Sequence, residues 1–320
     1  MRDRFRYANE PSVHAREGLK MENGNGQRLG IVGLGLLGGS VARAARARWP
    51  EIELTGWDHD AGVRARAVAA GLVDTAPDLL DGLSDAGFIV VSVPVHAVAG
   101  IIEQLARRNP AAIVTDVASS KQAVIDALGG CLPPGFGFVP AHPMAGGEQG
   151  GFGAARANLF EARSCLITPL PDTPAAACAQ VEAFWRALGA VTRRTDPATH
   201  DRMVALTSHL PHLLAFALVE GLAADLADDR GGAATRRDNV APFVGRSFAE
   251  QIRLASSDPI VWAHILEANA PELLTQLEAL QHRLADWRAT LAHAPHTVLA
   301  RLLPTIEAAR ALAAEVPART

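Results

Sequence analysis

The sequence predicts an α/β fold: a doubly wound parallel sheet in the first part of the chain, then an all-α region. Three observations carry this. Between residues 28 and 195, short β-rich runs alternate with helical stretches. Several of those runs are continuously apolar, such as FIVVSV at 88–93 and AIVTDV at 112–117, as strands covered on both faces must be. From residue 196 onward strand signal nearly vanishes, and apolar residues recur at helical spacing.

Residues 1–27 mix acidic and basic side chains and lack an apolar stretch, so they read as a flexible N-terminal extension, not a secretory signal. Strand candidates follow at Arg28–Gly33, Ile52–Trp57, Gly87–Val93, Ala112–Asp116, Phe136–Ala141, Ser164–Thr168 and Ala190–Arg194. Helical stretches such as Gly39–Arg48 and Val95–Arg108 lie between them. In the second region, Asp196–Asp229 and Pro259–Ala292 read as long helices, each beyond the ~11–12 residue mean. Asp229–Asn239, rich in glycine, reads as a mobile loop between them. Apolar faces of that size are too large for one small helical domain to hide, which predicts a homodimer. The expected organisation is therefore an extension (1–27), a sheet domain (28–195) and a helical domain (196–320).

Composition narrows the function classes. The chain has 320 residues and a net charge of −4, with 49% hydrophobic and only 5% aromatic residues. That argues against a nucleic-acid partner, which calls for a basic excess and stacking rings. No run reaches the ~18 uninterrupted apolar residues of a membrane span. Cys131, Cys165 and Cys178 are odd in number and lack the close spacing of a zinc site, so they read as thiols in a reducing, cytoplasmic setting. Only two of the 30 basic residues are lysines, Lys20 and Lys121.

One loop carries specific chemistry. Gly33-Leu-Gly35-Leu36-Leu37-Gly38 follows a strand and opens a helix. Gly33 permits the tight turn, Gly35 lets backbone approach a pyrophosphate, and Gly38 lets helix pack on strand. The helix start, with Leu36 and Leu37, offers N–H groups and partial positive charge to phosphate. Asp58 lies twenty residues after Gly38, at the end of the second strand, where a carboxylate accepts ribose hydroxyls and repels a 2′-phosphate. These features predict a Rossmann-type site for NAD.

Ligands of such sheets bind beyond the carboxyl ends of the strands. Ser92 and Pro94, then Asp116, Ser119 and Lys121, then His142 are expected there. His142 is the candidate general base, since imidazole accepts a proton near neutral pH. His209 and His212 lie three apart on a helix and read as partly exposed beside a kink at Pro211. No third ligand accompanies them, so no metal is expected. Arg253 precedes Ser257-Asp258-Pro259, the start of the next helix.

In this order, Gly33–Gly38, Asp116-x-x-Ser119-x-Lys121, His142-Pro-Met-Ala-Gly146, Ser208-His-Leu-Pro-His212 and Arg253–Trp262 resemble the prephenate/arogenate dehydrogenase family of tyrosine biosynthesis. The resemblance implies NAD-dependent oxidative decarboxylation of prephenate to 4-hydroxyphenylpyruvate. Carried over, His142 accepts the proton of the ring hydroxyl, and Ser119 sits between that hydroxyl, His142 and the nicotinamide. His209 and His212 line the site, and Arg253 binds a substrate carboxylate. Aromatisation drives loss of CO₂, so neither nucleophile nor metal is required.

Two departures stand out. Gly245-Arg246-Ser247-Phe248 replaces a glycine run common in the family, so Arg246 is an extra cation whose effect on substrate preference is open. With the helical region running to residue 320, no appended regulatory domain is expected. Rival readings are an arogenate-preferring or dual cyclohexadienyl dehydrogenase, a β-hydroxyacid dehydrogenase and a non-catalytic NAD-binding sensor. The second uses a lysine from the helical half, and this chain has none after Lys121.

Overall fold

The computed structural model describes residues 28–147, 150–227 and 240–315. The extension 1–27 and the loop Asp229–Asn239 lie outside the described residues. Five strands form a parallel sheet: β1 (Arg28–Val32), β2 (Glu53–Trp57), β3 (Phe88–Val91), β4 (Ile113–Asp116) and β5 (Gly137–Val139), in the order β2-β1-β3-β4-β5. Helices α1 (Leu36–Arg48), α2 (Ala61–Ala69), α3 (Val95–Arg108) and α4 (Gln122–Leu128) connect them.

Both faces of the sheet are covered, which is why its strands are apolar throughout. Leu29, Ile31, Phe88 and Val90 enter one core with Val41, Phe184 and Trp185. Their neighbours Val32, Ile89 and Val91 enter the other, with Val98, Ile102 and Val114. Successive residues of a strand point to opposite faces, so each core takes alternate positions. Phe184 packs against Phe88 with the rings tilted by 31° and their centroids 4.6 Å apart.

The expected strand Phe136–Ala141 is two strands. Pro140 has no N–H to give to a ladder, and the chain leaves the parallel sheet there. It enters a second, three-stranded sheet: β6 (Ala141–Pro143), β7 (Ser164–Ile167) and β8 (Val191–Arg194), with β6 antiparallel to β7 and β7 parallel to β8. Helix α5 (Ala175–Ala187) joins β7 to β8.

The remaining elements are helical. They are α6 (Pro197–Val204), a π-helical turn (Ala205–His209), α7 (Leu210–Ala227), α8 (Arg246–Ala255), α9 (Pro259–Ala268), α10 (Ala270–His293) and α11 (Val298–Glu315). Asp196 caps α6 by accepting from the Thr199 N–H, and Asp258 caps α9 by accepting from those of Ile260 and Val261. The expected single helix Pro259–Ala292 breaks at Asn269. Pro271 removes a helical donor and crowds the carbonyl four residues back, so a new helix must start. The other expected long helix carries the π turn just before Pro211, where the missing N–H would interrupt regular bonding.

The described residues cluster in two compact units. One holds the sheets through Asp201 together with Ser256–Ala268; the other holds Arg202–Ala255 and the residues from Asn269 on. In the first, α9 packs on α3, with the rings of His96 and His264 4.3 Å apart. In the second, α7 packs against α8, and α10 against the π turn. Leu284 and Leu291 of α10 and Leu299, Leu303 and Leu312 of α11 are all more than half exposed. Pro197–Asp225 is long and apolar enough to cross a membrane by length and composition. The uninterrupted-run criterion passes over it because polar residues punctuate it. A dimer interface asks for the same composition.

Candidate active site

The glycine loop leaves β1 where the strand order reverses. Gly33 has φ +88°, and a Cβ there would lie 2.2 Å from the Ser92 carbonyl oxygen. A Cβ on Gly38 would lie 1.9 Å from the Gly33 carbonyl oxygen. Both positions therefore exclude any side chain. Gly35 differs: a Cβ there would meet nothing within 4 Å. The first bond of α1 runs from the Gly39 N–H to the Gly35 carbonyl at 2.8 Å, so Leu36, Leu37 and Gly38 present N–H groups ahead of the helical ladder. No side chain caps α1, and no acidic residue occupies its first turn. Unpaired donors, open space and absent negative charge are what a dinucleotide's pyrophosphate requires.

Asp58 sits at the end of β2 as expected, but it also braces the loop. One carboxylate oxygen accepts from the Leu34 N–H at 2.9 Å, the other from the Asp60 N–H at 3.0 Å. Oδ1 also lies 3.1 Å from Nδ1 of the exposed His59, while Oδ2 keeps a further lone pair to which a hydroxyl donor can add. Ser92 lies beside the loop, its N–H donating to the Val32 carbonyl at 2.6 Å, and Pro94 opens α3.

At the end of β4, Asp116 and Lys121 are fully buried, with Nζ 2.7 Å from Oδ2. Together they grip one residue. Asp116 Oδ1 accepts from the Ala141 N–H at 2.9 Å, and Lys121 Nζ donates to the Ala141 carbonyl at 2.6 Å. The next residue is His142, half-buried in the middle of β6. It is therefore not the terminus of a parallel strand, as expected, but part of the second sheet. Ser119, half-buried, lies in the turn between Asp116 and Lys121.

His142 has a partner that sequence reading missed. Its Nδ1 lies 2.9 Å from Nε2 of His200, whose Nδ1 lies 2.6 Å from Oδ1 of Asp201. Both partners are buried. Asp201 also accepts from the backbone N–H groups of Lys121 at 2.9 Å and Gln122 at 2.8 Å, which opens α4. The available signal was a His-Asp pair in the first turns of a helix that Asp196 and Pro197 begin.

In the second unit, His209 ends the π turn and His212 lies in the first turn of α7. His209 is 1% exposed, not partly exposed as its spacing suggests, and Asn269 Nδ2 donates to its Nδ1 at 3.1 Å. His212 is half-buried and donates from Nδ1 to the Ser208 carbonyl at 2.9 Å. Burial holds its pKa below the ordinary imidazole value, against the pull of the Ser208 carbonyl, and the Arg253 charge adds to the lowering. Arg253 lies on α8, half-exposed, with Nε 3.4 Å from Glu250. Arg246 is exposed at the start of α8.

Comparison with known proteins decides the family. Residues 41–194 match the family described as prephenate dehydrogenase, nucleotide-binding domain, and residues 196–305 match prephenate dehydrogenase, dimerization domain. The chain belongs to the prephenate dehydrogenase family. It is 36% identical over 265 residues to a cyclohexadienyl dehydrogenase of Zymomonas mobilis, which covers 81% of this chain and 86% of that one. It is 30% identical over 255 residues to a prephenate dehydrogenase of Bacillus subtilis, covering 78% and 66%. The fold is similar to that of prephenate dehydrogenase from A. aeolicus in complex with hydroxyphenyl propionate and NAD⁺. The TM-score is 0.79 at 27% identity, over 89% of this chain and 98% of that one. The doubly wound sheet and helical region of this family member are thus the two parts its family descriptions name.

Proposed function

We propose that this family member is an NAD-dependent prephenate dehydrogenase. The reaction oxidises the ring carbinol of prephenate and releases CO₂ to give 4-hydroxyphenylpyruvate. Residues 28–195 bind the dinucleotide, and residues 196–320 bind substrate and form a homodimer. Gly33, Gly35, Leu36, Leu37 and Gly38 cradle the pyrophosphate, Asp58 takes the ribose, and Ser92, Pro94 and Ser119 border the nicotinamide end. NAD⁺ bound by these residues would supply the hydride acceptor.

The chain's own task is to place the carbinol and take its proton. His142 accepts that proton, and Ser119 donates a hydrogen bond to the same oxygen. Arg253 binds a carboxylate of the substrate, for which a planar guanidinium fork suits better than an ammonium. His212, held neutral by its surroundings, offers a nitrogen without adding charge. His209 accepts a hydrogen bond from Asn269 and so steadies the start of α10 within the helical unit.

The observation that carries this reading is the anchorage of His142. Through Ala141 it is tied to Asp116 at the carboxyl end of β4, the same edge of the sheet on which the Gly33–Gly38 loop opens after β1. Similarity to a cyclohexadienyl dehydrogenase favours a second substrate, arogenate, at the same site. The test follows absorbance of reduced nicotinamide with prephenate and arogenate, each paired with NAD⁺ and NADP⁺. Turnover of prephenate with NAD⁺ is expected to be fastest. No turnover in any of the four mixtures overturns the proposal.

A further inference from the structure

We propose that His200 and Asp201 are positioning residues for the proton transfer: they fix which nitrogen of His142 takes the proton and supply the counter-charge when it does. This rests on the reading of His142 as the base. The carboxylate of Asp201 can only accept hydrogen bonds. It already accepts from the N–H groups of Lys121 and Gln122, so its orientation is fixed by backbone. The nitrogen of His200 that faces it at 2.6 Å must carry a proton. In neutral His200 the other nitrogen, Nε2, is then an acceptor. Nε2 faces Nδ1 of His142 at 2.9 Å, so Nδ1 of His142 must donate. That leaves the lone pair of His142 on its Nε2, and the imidazole is set as a base at that atom.

The same chain stabilises the product of the transfer. The O–H bond of the carbinol breaks, and its proton bonds to Nε2 of His142. The electron pair stays on oxygen and becomes part of the new carbonyl as the carbinol C–H bond breaks and its hydride passes to the nicotinamide. The proton returns from Nε2 to that oxygen only later, when loss of CO₂ pushes an electron pair back onto it and gives the phenol. His142 is now a cation, still donating from Nδ1 into a buried imidazole–carboxylate pair of charge −1. His200 and Asp201 have side chains 0% and 2% exposed, so water screens this attraction poorly. Protonation of His200 has the reverse effect. Its Nε2 would then donate, Nδ1 of His142 would have to accept, and the base would carry its proton on the wrong nitrogen.

Cys165, Asp116 and Lys121, which also lie near His142, do not substitute for this chain. Cys165 of β7 takes a hydrogen bond from the His142 backbone, and burial pushes its thiol far up, so it stays protonated. Asp116 and Lys121, behind Ala141, already neutralise each other.

The experiment measures kcat and kcat/KM against pH, thermal melting and NAD⁺ binding for Asp201→Asn, His200→Gln, His200→Leu and His142→Asn. Asparagine at 201 can donate to His200 and so favours the wrong tautomer along the chain. It is expected to lower kcat by about 10-fold or more, the direction seen when a triad aspartate is amidated. The KM for prephenate should change little. The acid limb of kcat/KM should move to lower pH, because removing a nearby negative charge disfavours the imidazolium. A role confined to folding would leave that limb in place. Glutamine at 200 keeps an acceptor for His142 and should retain several-fold more kcat than leucine, which keeps none. A folded, NAD⁺-binding Asp201→Asn enzyme with wild-type kcat and an unmoved acid limb overturns the relay. If Asp201→Asn does not fold, the His200 pair decides, and equal kcat for glutamine and leucine overturns it. The parent reading fails separately: turnover retained in His142→Asn removes the base itself. A dead His142→Asn beside wild-type-like Asp201 and His200 variants removes only the relay.

Discussion

Gly35→Ala and Gly33→Ala separate the two jobs of the glycine loop. At Gly35 the backbone has φ −78°, and nothing lies within 4 Å of a new Cβ. Alanine there gains about 0.4–1 kcal/mol from a stiffer unfolded chain. It loses a comparable few tenths as a poorer helix N-cap. The net change is near zero, so Tm should stay within roughly 2 °C of wild type. The methyl group nevertheless enters the open space that the proposed function gives to the dinucleotide's pyrophosphate. Displacing a phosphate from even one charge-assisted hydrogen bond costs about 1.5–3 kcal/mol. That is a rise in the Kd for NAD⁺ of roughly 10- to 100-fold. Gly33→Ala has the opposite signature. Its φ of +88° strains any L-residue by about 1–3 kcal/mol. The Cβ, 2.2 Å from the Ser92 carbonyl oxygen, must also push backbone aside. Overpacking of that kind adds about 1–3 kcal/mol. A loss of at least about 2 kcal/mol lowers Tm by roughly 4 °C or more. The assays are thermal melting without ligand and titration of NADH fluorescence. Undiminished NAD⁺ binding by folded Gly35→Ala would refute the phosphate cradle. A wild-type melt for Gly33→Ala would refute the packing argument.

Three further outcomes are expected. Lys121→Met leaves Asp116 charged and buried without its cation, so urea denaturation should show a loss of about 3–5 kcal/mol; a loss below about 1 kcal/mol would mean the pair is not closed as described. Arg253→Ala should raise the KM for prephenate by roughly 10- to 100-fold, with kcat less affected, as loss of a charged hydrogen bond predicts. Steady-state kinetics check this, and an unchanged KM would remove Arg253 from substrate binding. His212 has a folded pKa below its ordinary value of 6.5, so the unfolded chain binds the proton better. Its contribution is present above that pH and is lost as pH falls below it. Melting between pH 7 and 5 should therefore decline less steeply for His212→Gln than for wild type. Asp60 and Asp196, held low chiefly by the Val63 and Thr199 N–H groups respectively, lose stability only near and below pH 3.8 and do not obscure that window.

How much the sequence discloses depends on where each constraint acts. The glycine loop is legible because its demands are local: positive φ at one residue, close approach at two more, and a strand and helix on either side. The five parallel strands are legible because double-sided burial writes itself as continuous apolarity. The break at Pro140 was also written locally, since proline cannot extend a ladder, but the apolar run around it concealed the change of sheet. The helix break at Asn269 has the same character, with Pro271 as its mark. His200 is different. It meets His142 across 58 residues of chain, and nothing in either neighbourhood specifies the other. His209 shows the remaining limit. Helical spacing puts it on the face of His212, yet a π turn upstream of Pro211 carries it inward to Asn269.

Asp116-x-x-Ser119-x-Lys121 shows how one motif divides between chemistry and support. Its ends are buried and hold the backbone of Ala141 from both its N–H and its carbonyl, while Ser119 between them remains half-buried. A buried ion pair costs more in desolvation than attraction returns unless its remaining atoms are bonded. Here Asp116 also accepts from the Ala118 and Ala141 N–H groups, and Nζ has the Ala141 carbonyl as a second acceptor. Arginine is the common cation of this chain, but its planar fork needs more room and spreads its donors. A compact ammonium can reach a carboxylate and a carbonyl at 2.7 and 2.6 Å within a closed space. That explains a lysine here in a chain otherwise built with arginine, and it assigns Lys121 to fixing the strand that carries the base instead of to the reaction.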